Sequence, residues 1–159
     1  MTLRTSTGHK NKLLGENGVD TGANGFRGIY KNCVIDLYSG VQPASADSAA
    51  TGTHLARVTL NGGAFSDGVS TNGLVWDAPS GGSISKPTAA VWRAYTGALA
   101  AGTIGWFRCR GNAADSGDST TLPRFDGSVG ITSGDLRLSV VDVVIGTPID
   151  IQSATFSLA

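Results

Sequence analysis

Thr103-Ile104-Gly105-Trp106-Phe107-Arg108-Cys109-Arg110 is followed by a polar loop, Gly111 to Thr120, and then by Leu122-Pro123-Arg124-Phe125-Asp126-Gly127-Ser128-Val129-Gly130. An aromatic strand, a Gly/Asp/Ser loop and a second strand make one unit. Asp126-Gly127 reads as a turn dipeptide at the end of it. Trp106 and Phe107 are neighbours, so a strand sends them to opposite faces of a sheet.

The rest of the chain repeats that plan. Asn32 to Ser39 is a strand with Cys33, Ile35 and Leu37 on one face and Val34, Asp36 and Tyr38 on the other. Leu55 to Leu60 alternates in the same way, and Asn61-Gly62-Gly63 turns it toward Ala64-Phe65 as a hairpin. Leu74-Val75-Trp76, Ser83 to Lys86 and Ala89 to Tyr95 are further short strands, with Pro87 marking an edge. Leu136 and Leu138, then Val140 to Val144, continue the series. The last strand, Ile149 to Leu158, has apolar positions at 149 and 151 that change phase to 154, 156 and 158. Such a shift marks a bulge or a strand that crosses between sheets. About nine to eleven short strands at this spacing predict an all-β fold, an antiparallel β-sandwich or jelly-roll-like barrel. Parallel pairing would require crossover helices, and the connections are too short for them.

Residues 1–27 stand apart as an extended N-terminal arm, before a single β domain over residues 28–159. Thr5 or Ser6 caps a short helix from Thr7 to Leu14, with Gly15 as its stop. The glycine-rich run Glu16 to Gly25 lacks apolar periodicity and reads as a loop or arm that buries itself on a neighbour. Val41 to Thr53 is a long small-residue loop without a core face, placed at the surface.

The composition agrees with many strands and tight turns. Of 159 residues 23 are glycine, only 15% are charged, and the 40% hydrophobic content excludes wholesale disorder. The formal net charge is zero, which leaves no electrostatic footprint for nucleic acid and permits dense packing among copies. No apolar run has the length of a membrane span, and the N-terminus lacks the apolar core of a secretory signal. Synthesis in the cytoplasm as a soluble chain is the expectation.

Residues that could carry chemistry are few. Cys33 and Cys109 lie too far apart for a CxxC motif and read as buried reduced thiols, with an inter-strand disulfide as the alternative. His9 and His54 have no partner at metal-ligand spacing and read as surface residues. Asp115 and Asp118 offer oxygen ligands for Ca²⁺ but lack regular loop spacing, so a solvated loop is the reading. No Gly-x-Ser-x-Gly elbow and no phosphate-cradling loop is present. The chain is read as no enzyme and without cofactor. Trp76, Trp92 and Trp106 read as core residues with their N–H groups bonded; Trp76, Trp92 and Tyr95 would be stacking platforms if the protein were a carbohydrate-binding module. Arg108, Arg110 and Arg124 cluster across one hairpin. Arginine is favoured at protein interfaces, so these three, with Trp106, Asn24 and Phe26, are the candidate contact residues, against the alternative of a polar outer sheet face.

Ordered blocks of sequence carry a resemblance. They are Leu3-Arg4-Thr5-Ser6-Thr7-Gly8, Leu13-Leu14-Gly15, Ile35-Asp36-Leu37-Tyr38-Ser39-Gly40-Val41-Gln42-Pro43-Ala44-Ser45-Ala46-Asp47 and Thr51-Gly52-Thr53, then Asn61-Gly62-Gly63-Ala64-Phe65, Gly105-Trp106-Phe107-Arg108, Asp126-Gly127-Ser128-Val129-Gly130 and Ser133-Gly134-Asp135-Leu136-Arg137-Leu138. With them the chain resembles a family of virion structural proteins from tailed bacteriophages, over nearly its whole length. The block Tyr38 to Asp47 is the most specific. Between Glu16 and Arg27 the chain departs from the family's apolar helical stretch and keeps only Ala23-Asn24-Gly25. The resemblance implies a particle component without saying which. A capsid decoration or cement protein on the outside of the major capsid shell, with the major capsid protein and its own copies as partners in homotrimers, suits the neutral charge and compact β core. A head–tail, tail or fibre-associated component is the structural alternative.

Overall fold

The computed structural model describes residues 3–13, 25–115 and 117–157. Strand outweighs helix, 35% to 6%, and the fold is all-β. Eleven strands are present among the described residues: β1 (Arg4–Thr5), β2 (Val34–Ser39), β3 (His54–Leu60), β4 (Ser83–Ser85), β5 (Trp92–Ala94), β6 (Gly102–Arg110), β7 (Arg124–Gly130), β8 (Leu136–Arg137), β9 (Asp142–Val143), β10 (Asp150–Ile151) and β11 (Thr155–Ser157). Two short helices, α1 (Thr7–Leu13) and α2 (Phe26–Ile29), precede β2.

The main sheet runs β1-β7-β6-β2-β3-β5-β10, with β8 added to β7 and β9 to the start of β6. All pairings are antiparallel except the two-residue β7–β8 pair. A small second sheet, β4 with β11, lies across the core from it and gives the sandwich its other side. Alternation decides which residues enter that core: Ile35 and Leu37 from β2, Ala56 and Val58 from β3, Phe107 and Cys109 from β6, and Phe125 from β7. Trp76, Ile84, Trp92 and Ile151 close it from the other side.

The phase change near the C-terminus is a change of sheet. β10 pairs with β5 in the main sheet, and β11 pairs with β4 in the small one. The three residues between them carry the chain across, so the apolar positions exchange parity.

Two expected turns differ. Asp126-Gly127 lies inside β7, opposite Arg108 and Phe107. Its glycine serves close packing instead: a Cβ there would stand 2.6 Å from the Phe107 ring. Asn61 and Gly62 do turn the chain, both with positive φ. No strand follows, however, because Thr59 Oγ1 donates to Gly63 O at 2.7 Å and folds the loop onto the end of β3.

Part of the segment expected as an arm is built into the domain. β1 pairs with β7. Ser6 caps α1 by accepting from His9 N at 3.1 Å, while its hydroxyl donates to Leu122 O and accepts from Arg124 N. Thr7 donates twice to the Asp47 carboxylate, from N at 2.7 Å and from Oγ1 at 2.6 Å. His9, expected at the surface, is buried against Tyr30, with Nδ1 2.7 Å from the phenol oxygen. It faces inward because the Ser6 cap and the Thr7 bonds fix the helix on the β7 edge. Leu14, Gly15 and the run from Glu16 to Asn24 lie outside the described residues, and so does Leu158.

Candidate functional site

The face of the main sheet opposite the core is a layer of charge. Asp36 pairs in register with Arg57 and Arg108, Arg108 with Asp126, and Arg110 with Arg124. Strand alternation alone brings these side chains to one face. Arg108 grips Asp126 with both ends of its fork, at 2.8 Å from Nε and 2.7 Å from Nη2. Arg110 Nε donates to Asp36 at 3.0 Å, and its Nη2 pairs with Asp67 at 2.8 Å. Arg57 Nε meets the other Asp36 oxygen at 2.7 Å. His54 Nε2 is 3.2 Å from that oxygen. Arg124 pairs with Asp115 at 2.7 Å from Nε.

Loops roof this layer. Residues 41–53, expected to lie at the surface with no inward side, bury Gln42 and Ala46. Their carbonyls at Ala46, Asp47 and Ser48 accept from Arg124, and Ser48 accepts from Arg108 as well. Asp118 anchors the same loop by accepting from Ala49 N at 2.6 Å. Phe65 slides between Arg57 and Arg110, whose guanidinium carbons stand 5.8 and 5.7 Å from its ring centre.

Burial and pairing compete for each ionised group. For Asp36, burial would raise the carboxyl, but contacts with His54, Arg57 and Arg110 outweigh it and hold the group well below the usual range. For Asp126, burial wins over the Arg108 contact and pushes the carboxyl up. Tyr38 is pushed up to about 12 by burial and by the nearby Asp36 charge.

The arginines therefore differ from the expected contact surface. Arg108, Arg110 and Arg124 are buried, and their donors are spent on carboxylates and carbonyls of the same chain. Trp106 is buried beside them, stacked on Tyr38 with ring centres 4.6 Å apart and lying 5.6 Å from the Arg108 guanidinium. The outer sheet face is polar, as the alternative reading had it, but loops shut Asp36, Arg108, Arg110, Arg124 and Asp126 away from solvent, while Arg57 and His54 stay partly exposed. A sequence signal for this exists. Asp36, Arg108 and Asp126 sit at alternate positions of strongly apolar strands, and opposite charges in such places call for one another when loops cover them. Asn24 lies outside the described residues.

Phe26 is the candidate residue that borders an open surface. It is half-buried, stacked on Phe156 at 4.5 Å and set edge-on to Trp76 at 5.1 Å. It forms one wall of a groove of about 710 Å³ between α2, the Val75–Pro79 segment and the β4–β11 sheet. The floor is apolar, and among the described residues the ionisable ones lining it are both basic: Arg27 and Lys31. Arg27 Nε donates to Trp76 O at 3.1 Å, which ties α2 to the groove wall.

The tryptophans are not stacking platforms. Trp76 and Trp92 are buried and meet edge to face at 5.0 Å; of that set Tyr95 alone is exposed. Their indole N–H groups, and that of Trp106, have no partner among the described residues, so aromatic packing and not hydrogen bonding holds these rings. Cys33 and Cys109 are buried free thiols. Burial, then the adjacent Cys33, pushes the Cys109 thiol up.

No protein-family model, no curated protein and no solved structure matches the chain.

Proposed function

We propose that the chain is a structural, non-catalytic component of a tailed-bacteriophage particle, a capsid decoration or cement protein on the exterior of the shell. Its partners are the major capsid protein and its own copies, the latter as homotrimers. The observation that carries this reading concerns the block Tyr38 to Asp47, the most specific part of the resemblance. Those residues begin the roof of the charge layer: Tyr38 stacks on Trp106, Ala46 and Asp47 accept from Arg124, and Asp47 ties down α1. A signature spent on internal bracing suits a protein whose work is mechanical. A net charge of zero suits dense packing on a lattice. Such a protein stabilises the shell by binding the assembled lattice in preference to free subunits.

Quantifying this chain in purified particles tests the proposal. Cement at repeated lattice positions gives on the order of hundreds of copies, whereas a neck or tail part gives about six to a few dozen. The lower number, or absence from particles, overturns the cement reading.

A further inference from the structure

Two features of the surface remain unused, and they lie at opposite ends of the molecule. One is the groove beside α2. It sits at the C-terminal end of β6, where Asn112 just beyond that strand donates to Asn32 O beside Lys31. The other is the turn over residues 142–147. It sits at the N-terminal end of β6, where Gly102 and Thr103 pair with Val143 and Asp142. β6 has nine residues, which is about 27 Å at ~3.4 Å per residue. A single copy cannot bring its own turn to its own groove.

The turn is an apolar knob. Val144 is 66% exposed and Ile145 76%, the two adjacent at its tip. Leu99 and Tyr95, also exposed, lie on the neighbouring turn. The two turns are tied together: Gly146 N donates to Ala98 O at 2.7 Å, and Ala98 N to Thr147 O at 2.9 Å. Thr147 Oγ1 accepts from Val144 N at 3.0 Å, so the tip is fixed before any contact forms. Large aliphatic side chains on a rigid, exposed tip cost solvation without serving the fold. Asp142, exposed at the base of the tip, supplies a carboxylate.

The groove is the complement of that knob. It is concave and apolar, and its rim is basic through Arg27 and Lys31. We infer that copies of this chain associate head to tail, with Val144 and Ile145 of one copy seated in the groove of the next and Asp142 facing the Lys31 and Arg27 rim. The contact is heterologous: it uses two different patches and runs on from copy to copy unless the angle closes a ring. It rests on the geometry of the knob and groove and stands apart from the particle assignment. One knob buries a small area, so a single contact is weak and gains strength when a surface holds many copies in line.

Sedimentation velocity over a concentration series tests this, with circular dichroism and melting as fold controls. The wild-type chain is expected to move above its 16.2 kDa monomer mass as concentration rises. Ile145→Asp, Lys31→Glu and Asp142→Lys, all at exposed positions, are each expected to weaken association by about tenfold or more. Mixing Lys31→Glu with Asp142→Lys is expected to restore it, because the knob that carries the new lysine then meets the new carboxylate at position 31, while the unaltered knob meets an unaltered rim. A wild-type chain that stays monomeric at all concentrations overturns the inference. So do folded single variants that associate like wild type, and so does a mixture that restores nothing.

Discussion

At the scale of single residues, the decisive feature is charge placed on the covered face of the sheet. Arg108 and Asp126 are both fully buried, and their two parallel bonds satisfy each other. Taking a charge out of water is costly, and removing its partner leaves that cost uncompensated. Asp126→Asn keeps the shape but removes the counter-charge of Arg108. It is expected to lower unfolding free energy by about 3–5 kcal/mol, read from urea titration. The double substitution Arg108→Met with Asp126→Leu removes both charges and is expected to cost clearly less than Asp126→Asn. If the double variant is the less stable of the two, the pair contributes net stability beyond mutual compensation, and this account of the layer is wrong. Ser48 O, which loses a donor from Arg108 in that variant, keeps one from Arg124 at 3.4 Å.

At the scale of elements, the N-terminal segment shows how a weak helix is held. Seven residues without an acidic first turn are too few to persist alone. α1 persists through its Ser6 cap, the two Thr7 bonds to Asp47, and His9 lodged beside Tyr30 and Phe26. Burial, and then the Lys10 charge, lowers the His9 pKa to about 4 from the ordinary 6.5. The unfolded chain thus takes up a proton near pH 6.5 that the folded chain refuses. The stability contributed by neutral His9 is complete above pH 6.5 and is lost as pH falls toward 4. About 2 kcal/mol is expected to go in that window, allowing for solvent screening. Asp36 behaves differently: its depressed pKa gives stability that is lost only as pH falls below the ordinary carboxylate value of 3.8. Asp126 works the other way: burial pushes its carboxyl up, so the folded chain binds that proton more readily than the unfolded one and gains stability as pH falls through the raised pKa. Melting temperature from about pH 8 down to about pH 3 should therefore fall in a His9 stage and then an Asp36 stage, with the Asp126 gain partly offsetting the fall between them. His9→Gln should flatten the upper stage and leave the lower one; an unchanged upper stage would assign it to another group.

At the scale of the whole molecule, both faces of the main sheet are covered, one by the β4–β11 side of the core and one by loops. Probes exist on each. Trp76, Trp92, Cys33 and Cys109 report on the core, and Trp106 on the charge layer. The native protein should show blue-shifted tryptophan emission that resists aqueous quenchers. Its thiols, both buried, should not react with a thiol reagent, and at Cys109 burial also suppresses the reactive thiolate. Emission, thiol labelling and far-UV signal should all change at one denaturant midpoint. A separate, earlier midpoint for thiol labelling would mean that the core side of the sheet opens before the rest.

Much of this architecture could be read from local pattern. Period-2 alternation located β2 and β3, the aromatic run located β6, and the parity change after Ile151 announced either a bulge or a strand that changes sheets, of which the structure has the second. Ser6 was legible as a cap from its place before α1. These features follow from backbone geometry, which acts between near neighbours in sequence. What the sequence did not reveal depends on segments that meet only in the folded state. The alternation put Asp36 on the face opposite Ile35 and Leu37, but it could not say that Arg108 and Asp126 would join it there, or that residues 41–53, 111–115 and 117–121 would fold over that face. That covering turns a polar face into buried ion pairs and withdraws the arginines from any surface. Asp126-Gly127 has the same composition as a turn, and only the Phe107 ring packed against Gly127 makes it strand. The groove at one end of β6 and the knob at the other belong to no single stretch of chain. Local chemistry determined the strands; long-range packing decided which of their faces meet water.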